Sequence, residues 1–278
     1  MLDYFGKNAD ALKHKKLFLF DMDGTIYEEN ALFDGVLELL DGIVKSGGKY
    51  VFITNNSSKS VMDYVKKVRK MGVKGGAENF FTSGQAAIML LKEKFGNRLI
   101  YAQATKSFYK ELKKSGLNVT KRYTENAAAV LVGFDPELSG KKLRTTCEIL
   151  TKCDIPYYAT NPDWVCPVDF GYIPDCGSMC FGIEKATGKK PVFIGKPEPT
   201  MINTVMKKFG MTSEQTLVLG DRLYTDIASG VNAGVDTVCV LSGEATLDDI
   251  EASEIKPTFV FKSVSEIRTE CGSGTIGK

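Results

Sequence analysis

The chain has 278 residues, 43% hydrophobic and 25% charged, an ordinary globular composition with room for one large α/β domain or two modest ones. A net charge of +2, with no basic stripe carrying interleaved aromatics, argues against a nucleic-acid polymer as partner. His14 is the sole histidine and sits in a polar leader, so Ser-His-Asp and Cys-His catalysis are all but excluded; carboxylates, lysine and metal are left to do any chemistry.

In chain order, the leader MLDYFGKNADALKHKK lacks the basic, apolar and small-residue order of a signal peptide, and no stretch nears the roughly 18 apolar residues of a membrane span. A cytoplasmic protein without a membrane partner is expected. LFLFDM (17–22) reads as a buried parallel strand ending in acid. A helix follows with Val36, Leu39, Leu40, Ile43 and Val44 on one face, then the strand YVFIT ending at Thr54, then a helix through Val61, Tyr64, Val65, Val68 and Met71. The last third repeats the theme. PVFIG is read as a strand before Lys196, Met201 to Phe209 as a helix, TLVLGD and DTVCVLSG as strands, and TFVFKSVSEI as a final strand and short helix. The tail CGSGTIGK is expected to be disordered.

Between these halves, about a hundred residues carry strands of their own, RLIYA, AAAVLVGF and IPYYAT, too much for a loop. They read as an inserted α/β domain over 83–185, with 1–82 and 186–278 forming a discontinuous core. The seven cysteines form no CxxC pair, and Cys166, Cys176 and Cys180 have no histidine to complete a zinc site; they are read as reduced thiols.

The chemistry-bearing residues stand at strand ends, where open α/β sheets place their ligands. FDMDGTIY puts Asp21 and Asp23 two positions apart, a pair that needs a cation between its members or a proton on one. Gly24 then allows a sharp turn. Thr54 and Asn55 offer a hydroxyl and amide N–H groups to a phosphate. Lys196 lies in IGKP, and Asp221 and Asp226 in LGDRLYTDI. Each alone is a common turn, cap or surface residue; the full set in this order is not.

The set resembles the four motifs of the haloacid dehalogenase superfamily: DxDGT at Asp21–Thr25, a Thr at 54, a Lys at 196, and GDxxxxD at Gly220–Asp226. Only 33 positions separate Asp21 from Thr54, whereas 142 separate Thr54 from Lys196, and in this superfamily that spacing implies a C2-type cap on a Rossmann-like core. YATNPD, CGSMCFGIEKATGKKP and VLSGEATLDDI resemble the NagD-like phosphatases, over about residues 17–267.

The resemblance implies a magnesium-dependent hydrolase of small phosphomonoesters. Asp21 would be the nucleophile and Asp23 the proton shuttle, with a higher pKa than Asp21. Lys196 would be the charge-neutralising catalytic residue, and Gly24, Thr54 and Asn55 would hold phosphate. Magnesium would be held by Asp21, the Asp23 carbonyl and Asp221, with Asp226 orienting that shell. Asn161, Asp163 and Asp175 would be cap-side substrate contacts, turn formation beside Pro162 or Pro174 being the other reading. Trp164, Phe170 and Tyr172 are read first as cap packing, with stacking on a ligand ring the alternative. Nucleoside monophosphates such as UMP are the first substrate class, with sugar phosphates or a broad range as alternatives. A catalytically retired phosphate sensor is the rival from another class, and a cap-mediated homodimer stays open.

Overall fold

The computed structural model of the protein describes residues 1–267, so the CGSGTIGK tail lies outside the described residues. The chain divides into two compact units. One holds Met1–Ile53, Val65–Phe81 and the segment from Lys196 onward; the other holds Thr54–Tyr64 and Thr82–Gly195.

The first unit is built on a six-stranded sheet. Its order is Phe259–Phe261, Asp236–Val240, Thr216–Gly220, Leu17–Phe20, Lys49–Thr54 and Phe80–Thr82, and the pairs from Phe259 through Lys49 are parallel. Leu17–Phe20 is buried at all four positions and Thr216–Gly220 at all five. Strands buried on both faces read as continuous apolar runs, and each such Leu, Val or Phe contributes about 1.5–3 kcal/mol. Helix Val36–Lys45 buries Val36, Leu39, Leu40 and Ile43. Val44, expected on the same face, is 58% exposed because it falls just past the edge of that stripe. A short hairpin, Tyr27–Glu28 with Ala31–Leu32, follows the Leu17 strand.

The second unit has a five-stranded parallel sheet in the order Val192–Phe193, Tyr157–Ala159, Ala129–Val132, Ile100–Gln103 and Val119–Thr120. Side chains cap its helices: Thr82 forms a capping box with Gln85, Thr105 Oγ1 accepts from the Phe108 N–H and Ser139 Oγ from that of Lys142. Tyr101, Val130, Val132, Phe134, Ile149 and Ile183 form its core. The unit runs to Gly195 rather than 185, because PVFIG supplies Val192–Phe193 to this sheet, opposite Tyr158 and Ala159. Lys196 therefore starts the return segment of the chain and does not close a strand of the first sheet. Among the described residues, no helix is long and apolar enough to cross a membrane.

One acid in this unit is badly placed when ionised. Glu111 lies near the Val61 end of helix Val61–Lys70, with one carboxylate oxygen buried and without a hydrogen-bond partner. Burial pushes its pKa up to about 7; a hydrogen bond from the Val61 backbone and the charge of Lys114 oppose the rise, while Asp63 adds to it. A raised acid adds stability that is full below its ordinary 4.5 and lost as pH climbs through about 7. Glu111→Gln is expected to raise the melting temperature at pH 8 by about 2 °C or more and to leave it unchanged at pH 5. Equal shifts at both pH values would show that the ionised carboxylate is not the cause.

Candidate active site

The Leu17 and Thr216 strands lie side by side, with Phe20 opposite Leu219. Their carboxyl ends sit where the sheet order reverses, the usual crevice for a ligand in such sheets. The Asp21 N–H donates to the Leu219 carbonyl at 2.8 Å, which extends the strand by one residue and holds that side chain beside Asp221. Asp21, Asp221 and Asp226 each bring a carboxylate oxygen within 4.8 Å of the others. Lys196, 2% exposed, puts Nζ 2.5 Å from Asp21 Oδ1 and 2.5 Å from Asp226 Oδ1, and 3.4 Å from the Ile53 carbonyl.

Three clustered acids, two of them paired to one lysine, leave excess negative charge. Burial pushes the Asp21 carboxyl well above the usual carboxylate range; Asp226 and Asp221 add to the rise, and Lys196 works against it. Burial and the Asp226 charge push Asp221 up to about 6. Burial alone would lower the Lys196 ammonium, but Asp21 and Asp226 overcome it and hold it above its ordinary value. All-oxygen donors with an unbalanced charge in a buried place fit a hard divalent cation. The partners also separate two of the acids. Asp226 Oδ1 faces Lys196 and its Oδ2 accepts from the Arg222 N–H at 3.1 Å. Asp221 meets neutral donors, Thr25 Oγ1 at 3.0 Å and the Glu244 N–H at 2.9 Å.

Two glycines make room for Asp221. Gly24 has φ of +85° and Gly243 lies across from it; a Cβ on either would overlap the Asp221 carboxylate. The Gly24 turn is closed by its own N–H to the Tyr27 carbonyl at 2.9 Å and by Ser242 Oγ, which donates to the Gly24 carbonyl at 2.8 Å. Asp23 lies beyond the strand, with its side chain 45% exposed. It accepts from the Tyr27 hydroxyl at 3.1 Å and faces Lys67 Nζ at 3.6 Å, and Lys67 also lies 3.8 Å from the Tyr27 ring centroid. Sequence reasoning missed both neighbours. Tyr27, four positions after Asp23 in the same motif, was within reach of a local argument. Lys67 was not.

The other expected site residues lie in the second unit. Thr54 Oγ1 accepts from the Asn56 N–H at 3.2 Å. Asn55 Nδ2 donates to Asp163 Oδ2 at 2.7 Å, and Asn161 Nδ2 donates to the same oxygen at 2.7 Å and to Asp175 Oδ1 at 2.9 Å. Asn161, Asp163 and Asp175 are thus buried together, and Asp175 also caps helix Cys176–Thr187. The packing expected of the aromatic segment is not found. Trp164 is 55% exposed, Phe170 79% and Tyr172 63%, because Val165–Val168 and Gly171–Pro174 form a hairpin that, among the described residues, has no further strand beside it. The Trp164 ring stands edge-on to the Phe181 ring, with centroids 5.8 Å apart. Cys176, Cys180 and Cys239 are buried free thiols, and Cys147, Cys153 and Cys166 are half-buried.

A model of haloacid dehalogenase-like hydrolases matches residues 18–118, and a HAD-hydrolase-like model matches 193–267. The ribonucleotide monophosphatase NagD of Escherichia coli K12 is 33% identical over 252 residues, covering 91% of this chain and 98% of its own. The chain belongs to the haloacid dehalogenase-like hydrolase family. Among solved structures of that family, the 4-nitrophenylphosphatase of Thermotoga maritima is 38% identical with a TM-score of 0.87, covering 92% of this chain and 97% of that one. Glycerol phosphate phosphatase of Mycobacterium tuberculosis, in complex with magnesium, is 25% identical with a TM-score of 0.85, covering 91% and 76%. The chain is a NagD-like phosphatase of the haloacid dehalogenase family, and its reaction is phosphomonoester hydrolysis. Phosphatases of this family generally use magnesium.

Proposed function

We propose that this phosphatase works through a phosphoryl group carried briefly on Asp21, with magnesium at the acid cluster. The observation that supports this best is the buried Asp21–Lys196–Asp226 ion-pair set beside an Asp221 that has neutral partners. Asp21 attacks phosphorus as the bond to the leaving oxygen breaks, and Asp23 gives that oxygen its proton. Water then attacks the phosphorus of the aspartyl-phosphate, Asp23 takes its proton, and the bond to Asp21 breaks to release phosphate. The half-exposed Asp23 carboxyl is suited to meeting both leaving group and water. Lys196 offsets charge on the nucleophile and the phosphoryl oxygens; Gly24, Thr54 and Asn55 take the remaining oxygens by their place in the motifs. Magnesium would be held by Asp21, Asp221 and the Asp23 main-chain carbonyl, with Asp226 orienting Lys196, and would supply positive charge against the carboxylates and the phosphoryl group.

Nucleoside monophosphates such as UMP are the proposed substrates, from the NagD-like segments and the NagD relative. Small polyol, sugar or aryl phosphates are the second reading, favoured by the names of the solved relatives. The site is proposed to act in the cytoplasm on free small esters. Phosphate release from UMP, a sugar phosphate, glycerol phosphate and p-nitrophenyl phosphate tests both readings. Turnover with magnesium is expected to fall at least about 10³-fold on adding EDTA and to return with excess magnesium. UMP no better than p-nitrophenyl phosphate in kcat/KM would end the nucleotide assignment. No turnover of any ester would leave the sensor reading.

A further inference from the structure

We propose that Asp163 is a positioning residue for the turn at Asn55, and not a contact to the leaving group. The proposal rests on the reading that Asn55 belongs to the phosphate-binding set.

Asp163 is 3% exposed, and one of its oxygens accepts from two carboxamides, Asn55 Nδ2 and Asn161 Nδ2, each at 2.7 Å. Such short bonds to a carboxylate are stronger than neutral ones. A carboxylate accepts only, so it also decides which way both carboxamides point. Asn161 is in turn held by Asp175 at 2.9 Å and by Thr160 Oγ1, which donates to Asn161 Oδ1 at 2.8 Å. The turn is gripped at other points as well. Ser83 Oγ donates to the Asn55 carbonyl at 2.6 Å, and Ser57 Oγ lies 2.8 Å from Thr160 Oγ1. Gly195 closes the remaining side, since a Cβ there would overlap the Asn55 carboxamide.

Two consequences follow from the charge and the partners. A buried carboxylate pointed at a phosphate dianion would repel it, whereas one committed to two amides sets geometry without meeting the ligand. Asp163 takes a carboxamide N–H of Asn55, and the phosphate contact assigned to Asn55 is placed on its main-chain N–H, whose direction the side-chain bond sets. A misplacement of about 1 Å in such a group costs about 10² in rate.

Substitutions at the two partners test this. Asn55→Asp sets a carboxylate against Asp163 and is expected to lower kcat/KM by about 10²-fold, by the same factor for UMP, glycerol phosphate and p-nitrophenyl phosphate. Asp163→Asn keeps an acceptor and a donor and is expected to stay within about threefold of the unaltered enzyme. Asp163→Ala removes the acceptor that both carboxamides share and is expected to lower kcat/KM by about 10²-fold, by the same factor for all three esters. Melting temperatures of all three variants separate misfolding from misplacement. Losses that differ by more than about tenfold between esters would make Asp163 a leaving-group contact and overturn the proposal. A folded Asp163→Ala variant with kcat/KM unchanged would overturn it too. An unaltered enzyme that turns over none of the esters would instead sink the functional reading beneath it.

Discussion

Asp21→Asn is expected to lower turnover of every accepted phosphomonoester by at least about 10⁴-fold, the scale of losing a nucleophile. The carboxamide is nearly the same size, so the packing against the Thr216 strand and the N–H bond to Leu219 should persist. The variant should also fold well. Asp21 is pushed above its ordinary pKa by burial and by Asp226 and Asp221, so its charge opposes folding at neutral pH wherever those acids are unbalanced. Removing that charge is expected to hold or raise the melting temperature of the metal-free protein while abolishing phosphate release, the trade expected where a site stores unfavourable charge for function. Phosphate release and thermal melts on the same preparation check it. More than a trace of magnesium-dependent activity would remove Asp21 from the mechanism.

Lys196→Ala is expected to give the next largest effect, with an unusual pairing of signs. The side chain is 2% exposed and sits 2.5 Å from two carboxylates. Losing it leaves Asp21 and Asp226 buried without their cation, a change that typically costs about 3–5 kcal/mol of stability. Turnover should fall about 10²–10³-fold, because charge on the phosphoryl oxygens loses a preorganised donor. Affinity for a divalent cation should nevertheless rise, since the lysine competes with it for the same acids. Lys196→Arg should not restore activity, because a planar guanidinium cannot present one point charge to both oxygens. Calorimetric titration with magnesium beside steady-state kinetics reads the two signs. If cation affinity and turnover fell together, Lys196 would be holding the cluster in shape and nothing more.

The cluster of Asp21, Asp221 and Asp226 was legible because short motifs at strand ends survive in local sequence: a continuous apolar run, then acid near a glycine. Fold class was legible for the same reason. The chemical inventory was legible too: a single histidine removes the common base, and what remains is carboxylate, lysine and metal.

Tertiary structure alone decided how these residues share charge. That Lys196 meets both Asp21 and Asp226, while Asp221 meets Thr25 and the Glu244 N–H, depends on strands brought together from about 200 positions apart. It also moved PVFIG to the second sheet, since a short apolar strand carries no mark of which sheet it will join. Asn161, Asp163 and Asp175 were expected as cap-side contacts from the resemblance of their motifs to the family's cap loops, with turn formation beside Pro162 or Pro174 as the other reading. The fold buries all three, and a buried carboxylate must find donors inside the protein, here the amides of Asn55 and Asn161.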